Sequence, residues 1–265
     1  MAGHRDRERL RGTFEEVAEL YDRARPTYPP AVFDDLVELA RLPEGGRVLE
    51  VGPGTGKATV DLAARGFEIV AVELGPELAA VARRNLAPFP RAEVVTADFE
   101  EWEPGRAGFD AVVAFTAFHW LSQERRFAKP AALLRRGGTL AVLATHHVSP
   151  EGGDPVWAEV QADYDAVVPS PDNRPPPPPE EIADLRADFN ATGLFREIEA
   201  RRYRWDVAYT ADEWVSVLAT YSENIAMPPA QREALFSRIR NRIAARPGGT
   251  ATRHYLAVLT VGVRP

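Results

Sequence analysis

From Arg47 onward, short apolar runs alternate with stretches of helical periodicity. The apolar runs predict strands at Arg47–Val51, Glu68–Val72, Glu93–Thr96, Asp110–Phe115 and Thr139–Ala144. The segments between them predict helices at Thr55–Arg65, Pro76–Leu86 and Gln123–Arg135. Strands that alternate with helices in this way are joined by right-handed crossovers into a parallel sheet covered on both faces. We therefore predict a doubly wound α/β core over residues 47–145.

Helical patterning also precedes this core. Residues Phe14–Arg41 indicate two short helices, because Pro26 and the pair Pro29-Pro30 interrupt the periodicity. We expect residues 1–46 to form part of a lid over the carboxyl ends of the strands.

The remaining chain, residues 146–265, begins with a proline-rich stretch. Pro169-Ser-Pro and the five prolines 175–179 cannot sustain a helix or a central strand, so an extended connection is expected. The following pattern predicts a helix at Glu180–Thr192 ending at Gly193, strands at Phe195–Trp205 and Tyr255–Val263, and helices at Ala211–Asn224 and Ala230–Ala245. The expected architecture is a seven-stranded, mostly parallel sheet with a helical cap inserted at about residues 206–250.

Composition narrows the class of protein. The 265 residues are 45% hydrophobic, and 39 acidic against 32 basic residues give a net charge of −7. That balance argues against general phosphate binding, so no nucleic-acid partner is expected. The absence of cysteine excludes disulfides, a thiolate nucleophile and cysteine zinc sites. No run approaches the ~18 apolar residues of a membrane span, so we expect a cytoplasmic protein without membrane contact, of undetermined oligomeric state.

The most informative segment is a strand that runs directly into a glycine-rich turn and then into a helix. It reads VLEVGPGTGKAT and places Gly52, Gly54 and Gly56 after the strand. Glycines there allow a tight turn and let the backbone approach a nucleotide-like ligand. Such a turn can also be no more than a strand-to-helix connection, so a second signal is needed.

The second predicted strand supplies that signal, because it leads into Glu73, about 20 residues after the glycines. At this spacing a carboxylate can accept hydrogen bonds from the hydroxyls of a ribose. The turn reads G-x-G-x-G rather than the G-x-G-x-x-G of nicotinamide enzymes, and no second mononucleotide-binding half is evident. Lys57 lacks the G-x-x-x-x-G-K-[ST] spacing of a phosphate-binding loop. A ribose-containing ligand other than a dinucleotide is therefore expected.

Four segments in order resemble the class I S-adenosylmethionine-dependent methyltransferases, specifically the small-molecule enzymes called type 11. They are VLEVGPGTG, VAVE ending at Glu73, VVTADF containing Asp98, and FDAVVAFTAFHW at the fourth strand. The segments YDRARPTYP and GGTATRHYLAVLTVGVR are similar to the two ends of that group. The resemblance implies a Rossmann-like methyltransferase fold, with S-adenosyl-L-methionine as methyl donor and S-adenosyl-L-homocysteine as product.

By matching positions, the resemblance also implies roles for single residues. Glu73 would hold both ribose hydroxyls, and Asp98 would bind the adenine amino group with Phe99 beside the ring. Structural alternatives are that Asp98 caps the following turn, Phe115 belongs to the core and Arg25 pairs with a surface acid. The implied cofactor-binding residues are Arg25, Tyr28, Glu50, Gly52, Pro53, Gly54, Thr55, Gly56, Glu73, Leu74, Asp98, Phe99, Phe115 and Thr116.

Methyl transfer requires chiefly that the acceptor be aligned with the methyl group. Orientation contributes roughly 7–11 kcal/mol in favourable cases, whereas a positioned base adds on the order of 10²–10⁴-fold. If a base is used, His119 is the candidate, because Phe118-His119-Trp120 follows the fourth strand and imidazole titrates near neutral pH. A histidine that packs against Trp120 without proton transfer is an equal alternative.

The expected acceptor is a small organic molecule contacted by Phe118, Trp120 and His146. For His146 and His147 a plain loop is favoured over substrate contact, and no metal site is predicted because no acids stand at ligand spacing. Aromatic residues of the last third could line a pocket for a planar or apolar molecule. A protein or RNA methyltransferase and a non-catalytic binding module are the competing hypotheses.

Overall fold

The computed structural model describes residues 17–170 and 174–265 and contains one seven-stranded sheet. Its strands are β1 (Arg47–Val51), β2 (Glu68–Glu73), β3 (Ala92–Thr96), β4 (Phe109–Phe115), β5 (Leu134–His147), β6 (Arg196–Thr210) and β7 (Thr250–Val263). The strand order is β3-β2-β1-β4-β5-β7-β6. The pairs β1–β2, β1–β4, β2–β3 and β4–β5 are parallel. The predicted doubly wound, mostly parallel sheet is confirmed.

Ten α-helices accompany the sheet in the described residues. They are α1 (Ala18–Ala24), α2 (Pro30–Leu39), α3 (Lys57–Ala64), α4 (Pro76–Leu86), α5 (Ala128–Leu133), α6 (Val156–Val167), α7 (Arg186–Thr192), α8 (Ala211–Leu218), α9 (Ser222–Ile225) and α10 (Pro229–Ala244). Proline opens α2, α4 and α10, where its missing N–H has no helical partner to lose. None of the described helices is long and apolar enough to span a bilayer.

The strand order reverses direction beside β1, which lies between β2 and β4. Glu50 in β1 is in register with Ala71 of β2 and Val113 of β4. In open α/β sheets, ligands bind outside the carboxyl ends of the strands at such a reversal. The fold therefore predicts a ligand-binding site at the carboxyl ends of β1 and β4.

The centre of the sheet is apolar because both of its faces are covered. Leu49, Phe109, Val112 and Leu140 are completely buried in one hydrophobic cluster. Fully burying a side chain of this size stabilises a fold by roughly 1.5–3 kcal/mol. This cluster accounts for the near-continuous hydrophobic runs by which the strands could be predicted.

The chain divides into two compact units. We call Thr27–Thr145, Asp184–Tyr203 and Ala257–Pro265 the core unit. Of the described residues, the insertion unit contains 17–26, those within His146–Ala183, and Arg204–Leu256. The division falls within β5, β6 and β7, so each of these strands contributes residues to both units. The lid role expected for residues 1–46 stays a prediction, and residues 1–16 lie outside the described residues.

The insertion unit has its own hydrophobic cluster. Helices α6, α8 and α10 contribute Trp157, Trp214 and Ile239, all of them buried. Buried Asp163 of α6 accepts hydrogen bonds from Arg238 and Arg242 of α10 at distances between 2.6 and 3.2 Å. These two ion pairs attach α10 to α6 beside the apolar cluster.

The prediction of an extended connection after residue 146 is wrong for Val156–Val167, which forms α6. Val156, Trp157 and Val160 of this helix are buried, and this helical spacing was present in the sequence. The prediction agrees with the structure in the proline-rich part, where residues 174–178 form neither helix nor strand. The same region corrects the plain-loop interpretation of His146 and His147, because both belong to β5.

Two predicted helices are shorter in the structure. The helix predicted at Gln123–Arg135 covers only α5, because the backbone becomes extended at Leu134, which pairs with Phe109 of β4. The helix predicted at Glu180–Thr192 covers only α7 after a short 3₁₀ turn. Between the two, Asp184 Oδ1 accepts the Arg186 N–H at 2.9 Å in a local side-chain turn directly before α7.

The predicted helix Ala211–Asn224 is divided into α8 and α9. Thr210 and Glu213 form a capping box that starts α8. The Thr220 hydroxyl donates to the Val217 carbonyl at 2.6 Å and the Asn224 amide donates to the Leu218 carbonyl at 2.8 Å. These side chains satisfy carbonyls at the end of α8, which is why the helix ends before Asn224.

Candidate functional site

The glycine-rich turn connects β1 to α3 through left-handed backbone conformations. Gly52, Gly54 and Gly56 have φ angles of +64°, +60° and +84°. A Cβ on Gly52 would also lie 2.7 Å from the Cβ of Ala117. Glycine is therefore required at this position both for its conformation and for space.

The rest of the turn is held by backbone and helix contacts. The Gly56 N–H donates to the Pro53 carbonyl at 3.0 Å, which closes the turn. The Asn85 amide of α4 donates to the Thr55 carbonyl at 3.0 Å. Because Thr55 is itself buried, the loop is fixed on two sides.

Glu73 ends β2 and joins the glycine turn to the start of α4. Its Oε2 accepts the N–H of Gly54 and its Oε1 accepts the N–H of Gly75, both at 2.9 Å. The side chain is only 7% exposed. A carboxylate accepts up to about four hydrogen bonds, so this backbone anchoring is compatible with ribose binding. The structure thus brings the two strongest sequence signals together.

Glu50 is a second acid at this end of the sheet and is completely buried. Within the described residues, neither of its carboxylate oxygens has a hydrogen-bond partner, and the nearby Thr59 hydroxyl has none either. Burial raises the pKa of Glu50 to about 7, and the nearby Glu73 carboxylate adds to the rise. An unpaired buried carboxylate is costly and favours a cationic or hydrogen-bond-donating ligand.

The predicted adenine contacts have mixed surroundings. Asp98 Oδ1 accepts the Glu100 N–H at 2.8 Å, so the side chain does cap the following turn. Phe99 is 3% exposed in the core cluster, with Lys129 Nζ 5.5 Å from its ring centre. Leu74, directly after Glu73, is a large apolar side chain that is 37% exposed. An apolar side chain exposed directly after β2 can pack against the apolar part of a ligand.

Phe115 at the end of β4 belongs to a group of three aromatic rings. It stacks on Phe33 at 5.5 Å between centroids and lies 5.3 Å from the tilted ring of Tyr28. Phe33 is completely buried and Phe115 is 7% exposed. The structure therefore places Tyr28 beside Phe115, with Phe115 packed as core, and the cofactor roles of both residues stay predictions.

Thr116 follows in a strained conformation. Its φ is +55°, which is unusual for a β-branched residue. Its hydroxyl lies 3.3 Å from the Tyr28 hydroxyl and donates to the Thr145 hydroxyl at 3.2 Å, and its N–H donates to the Leu143 carbonyl. Strain held by surrounding contacts is often found at functional sites, which favours Thr116 as a site residue.

The segment Phe118–Trp120 forms a 3₁₀ turn after β4. His119 is exposed and its ring lies 4.8 Å from that of Trp120. Phe118 is 5% exposed and packs edge-on against Phe127 at 5.0 Å, within the core cluster. His119 and Trp120 are thus more accessible to an acceptor than Phe118, and all three roles stay predictions.

Arg25 and His146 belong to the insertion unit. The Arg25 guanidinium donates from Nε to the Thr220 hydroxyl at 2.8 Å and from Nη2 to the Thr220 carbonyl at 3.1 Å. It also lies 3.9 Å from the ring centre of Tyr221. The structural alternative, in which Arg25 pairs with a surface acid, is not seen among the described residues, and the cofactor role of Arg25 stays a prediction. His146 is half-buried near the end of β5.

A cluster of side chains inside the insertion unit was not predicted from the sequence. His147 is surrounded by the rings of Trp214, Tyr221 and Tyr255 at 5.0–5.8 Å, and its Nε2 lies 2.8 Å from the Tyr221 hydroxyl. Burial lowers the pKa of His147 well below 6.5, and Arg253, Arg25 and His146 add to the effect. The imidazole is therefore neutral at physiological pH.

Arg253 of β7 was also missed and is 3% exposed. Its guanidinium lies 4.6 Å from the ring centre of Trp157 and 5.8 Å from that of Trp214. Burial lowers the pKa of Arg253 to about 10. Sequence spacing could not single out this arginine, because its isolation depends on which acids fold near it. Within the described residues no group of three or more His, Cys, Asp or Glu side chains is placed to hold a metal ion.

Comparison with known proteins connects this geometry to a family. Residues 48–138 match the methyltransferase domain family. An uncharacterized methyltransferase of Mycobacterium tuberculosis strain H37Rv is 28% identical over 247 residues, which cover 89% of this chain and 87% of that protein. The matched domain contains the glycine turn, Glu73, Asp98 and the end of β4.

Solved structures share the fold. One from Anaeromyxobacter dehalogenans, described as a type II methyltransferase, has a TM-score of 0.61 at 23% identity and covers 90% of this chain and 97% of that chain. Another is phosphoethanolamine N-methyltransferase 2 of Haemonchus contortus in complex with phosphomonomethylethanolamine and S-adenosylhomocysteine. It has a TM-score of 0.54 at 15% identity and covers 100% of this chain and 61% of that chain.

Proposed function

We propose that this chain, which belongs to the class I S-adenosylmethionine-dependent methyltransferases, transfers a methyl group from S-adenosylmethionine to a small organic acceptor. The observation that carries the proposal is the position of Glu73. Its carboxylate is held by the N–H groups of Gly54 and Gly75, at the strand-order reversal where α/β sheets bind nucleotides.

The roles proposed for the core-unit residues follow from their chemistry. Glu73 accepts hydrogen bonds from the two ribose hydroxyls, and the left-handed turn at Gly52 and Gly54 keeps side chains away from the ligand. Asp98 accepts from the adenine amino group, with Leu74 against the base. Tyr28, Phe115 and Thr116 lie at the methionine portion, together with the remaining turn residues Glu50, Pro53, Thr55 and Gly56.

Charge supports a cationic donor at this end of the sheet. When bound, S-adenosylmethionine would supply a methyl group on a positively charged sulfur, and its carbon–sulfur electrons stay on sulfur as the methyl leaves. Glu50 and Glu73 are both buried acids, and the Glu73 carboxylate adds to the rise in the pKa of Glu50 that burial causes. A positively charged ligand relieves that repulsion, which favours binding of the sulfonium form.

The acceptor loses a proton when its nucleophilic atom is O–H or N–H. His119 is the proposed proton acceptor, because its exposed imidazole directly follows β4 in a short turn. Trp120 packs beside that ring and limits its orientations. Alignment remains the larger contribution of the protein, so loss of His119 lowers turnover without abolishing cofactor binding.

A label-transfer experiment tests the proposal. Purified protein is incubated with S-[methyl-³H]adenosylmethionine in three parallel reactions. The first contains small organic molecules, the second total RNA and the third denatured protein. We expect label in the small-molecule pool alone, and its loss in Glu73→Gln. Label in RNA or protein would contradict the small-molecule acceptor. Cofactor binding without label in any pool would contradict catalysis and favour a binding module.

A further inference from the structure

Arg253 is a buried cation without a counter-ion. Its side chain is 3% exposed, and its Nε is inaccessible to solvent and has no hydrogen-bond partner. Within residues 17–170 and 174–265, no carboxylate pairs with the guanidinium, which lies against the rings of Trp157 and Trp214. Buried arginines are normally paired with carboxylates, because an unpaired charge loses its hydration without compensation.

Other arginines of the insertion unit show that acids are available there. Arg238 and Arg242 pair with Asp163, Arg240 pairs with Asp212, and Arg246 pairs with Asp154. Each of these four side chains is more exposed than Arg253. The most deeply buried arginine in this comparison is thus the one without an acid.

The surroundings of Arg253 are aromatic and positively charged. Trp157 and Trp214 lie against its guanidinium, and Tyr221 and Tyr255 are among the neighbouring groups that interact with its charge. Arg25 adds a second cation beside Tyr221, and no carboxylate pairs with it in the part of the chain that the structure describes. His147 in the same cluster is neutral, so it supplies no compensating charge.

We propose that the methyl acceptor is an organic carboxylate whose anionic group is bound by Arg253 inside the aromatic cluster of Trp157, Trp214, Tyr221 and Tyr255. This assignment rests on the proposed function, since it names the class of acceptor. A guanidinium binds a carboxylate through two parallel hydrogen bonds, and the indole and phenol rings suit a planar or apolar body. The negative charge of the acceptor would supply the partner that Arg253 lacks.

A carboxylate fits these residues better than a phosphate ester. Phosphate sites usually combine several cations or backbone N–H groups, because a doubly charged group must be desolvated. Here one fully buried guanidinium is enclosed by rings, and Arg25 already donates two hydrogen bonds to Thr220. Inorganic phosphate is therefore included in the test as the competing anion.

The test is calorimetric titration of the full chain with benzoate, benzamide and inorganic phosphate. Benzamide has the shape of benzoate without its charge, so it isolates the contribution of the anion. We expect benzoate to bind at least tenfold more tightly than either other probe. Arg253→Met removes this preference, whereas Arg238→Met, a matched change at an ion-paired arginine of the same unit, retains it.

Thermal unfolding of the same variants without ligand separates a binding role from a structural one. We expect Arg253→Met to melt no lower than the wild type, because methionine fills the space without a buried charge, and to lose the stabilisation by benzoate. Equal binding of benzoate and benzamide, binding preserved in Arg253→Met, preferred phosphate binding or a lower melting temperature of Arg253→Met would each overturn the assignment.

Titration with S-adenosylmethionine distinguishes failure of this inference from failure of the proposed function. Arg253→Met should bind the cofactor as the wild type does. If the wild type binds benzoate but not S-adenosylmethionine, the proposed function fails and Arg253 no longer identifies a methyl acceptor. If it binds S-adenosylmethionine but not benzoate, the cofactor assignment stands and the carboxylate acceptor is wrong.

Discussion

The carboxyl end of β1 and the interior of the insertion unit each bury a charged side chain without a partner, but the two charges are opposite. Glu50 is completely buried, and burial raises its pKa to about 7. Arg253 is 3% exposed, and burial lowers its pKa to about 10. In both cases the apolar surroundings favour the neutral form of the group.

This difference indicates what each region is built to receive. A buried acid favours a cationic ligand, and a buried arginine among aromatic rings favours an anionic planar one. The two expected ligands of a methyl transfer, a sulfonium donor and a carboxylate acceptor, have these opposite charges. Each unpaired charge lowers the free energy of unfolding of the unliganded protein, and a ligand of opposite charge would raise it on binding.

The largest predicted effect is a gain of stability when either charge is removed. Because burial raises the pKa of Glu50 from 4.5 to about 7, its ionisation destabilises the folded state, and this cost is fully present above pH 7. Because burial lowers the pKa of Arg253 from 12.5 to about 10, its positive charge destabilises the folded state below pH 10. At pH 8 both costs are present, so Glu50→Gln and Arg253→Met should each raise the free energy of unfolding by roughly 3 kcal/mol. Urea unfolding at pH 8 measures this.

The matched controls carry charges that have partners. Glu68→Gln changes the first residue of β2, where the acid pairs with Arg47, and Arg238→Met changes an arginine paired with Asp163. Neither control should gain stability. A loss of stability in Glu50→Gln or Arg253→Met would break the comparison, because it would mean that the charge is compensated in the folded protein.

A second effect separates the glycine turn from an ordinary loop. Gly52→Ala and Gly66→Ala both place alanine at a positive φ, but only Gly52 would bring its Cβ within 2.7 Å of Ala117. We expect Gly66→Ala to lose about 1 kcal/mol and Gly52→Ala to lose about 2–3 kcal/mol, together with cofactor binding. Denaturant unfolding and titration with S-adenosylhomocysteine check both. Equal losses would refute a special requirement at Gly52.

The third effect is a pair of opposite pH slopes. Between pH 4.5 and about 7 the folded chain holds a proton on Glu50 that the unfolded chain releases, so stability falls as pH rises. Below pH 6.5 the unfolded chain binds a proton that His147 in the folded chain does not, so stability rises with pH. Just below pH 6.5 the two slopes oppose each other in the wild type.

Single variants expose these slopes. Glu50→Gln should leave a stability that rises with pH just below pH 6.5, and His147→Gln should leave one that falls between pH 4.5 and about 7, by up to roughly 1.4 kcal/mol per pH unit. The groups facing His147 are Trp214, Tyr221 and Tyr255, with Arg25, Arg253 and His146 nearby. Unfolding free energies at pH 4.5, 5.5 and 6.5 measure both slopes. Identical profiles for the two variants would contradict the opposite pKa shifts of Glu50 and His147.

The smallest effect belongs to a neutral contact. Tyr28→Phe removes a hydroxyl that lies 3.3 Å from the Thr116 hydroxyl but keeps the ring beside Phe33 and Phe115. We expect a stability loss of under about 1 kcal/mol and a modest decrease in cofactor affinity. If Tyr28→Phe lowered the free energy of unfolding by as much as Glu50→Gln raises it, neutral contacts would matter as much as charge at this end of the sheet.

Local sequence patterns were sufficient to predict elements whose hydrophobic periodicity matches the observed secondary structure. The bounds of β1 and of α4 at Pro76–Leu86 agree with their predictions, because an apolar run or a proline at the first helical position marks them. The glycine turn and Glu73 were predicted as a pair from spacing alone. Their hydrogen bonds make that pairing a physical one.

Tertiary contacts decided the features that the sequence did not reveal. α5 is short because Leu134 pairs with Phe109 of β4, and α8 ends where Thr220 and Asn224 satisfy its carbonyls. Arg253 lies in a segment that resembles the family's carboxyl-terminal end, yet nothing in that segment indicates burial without a counter-ion. Such isolation depends on residues far apart in the chain, which periodicity does not encode.

Calorimetric titration with S-adenosylmethionine and S-adenosylhomocysteine, with NAD as control ligand, tests the central claim most directly. Glu73→Gln and Glu68→Gln make the same change at opposite ends of β2, but only Glu73 contacts the glycine turn. The account predicts wild-type affinity in Glu68→Gln, at least tenfold weaker binding in Glu73→Gln and no binding of NAD. Unchanged affinity in Glu73→Gln, or no binding of either sulfur nucleotide by the wild type, would contradict it.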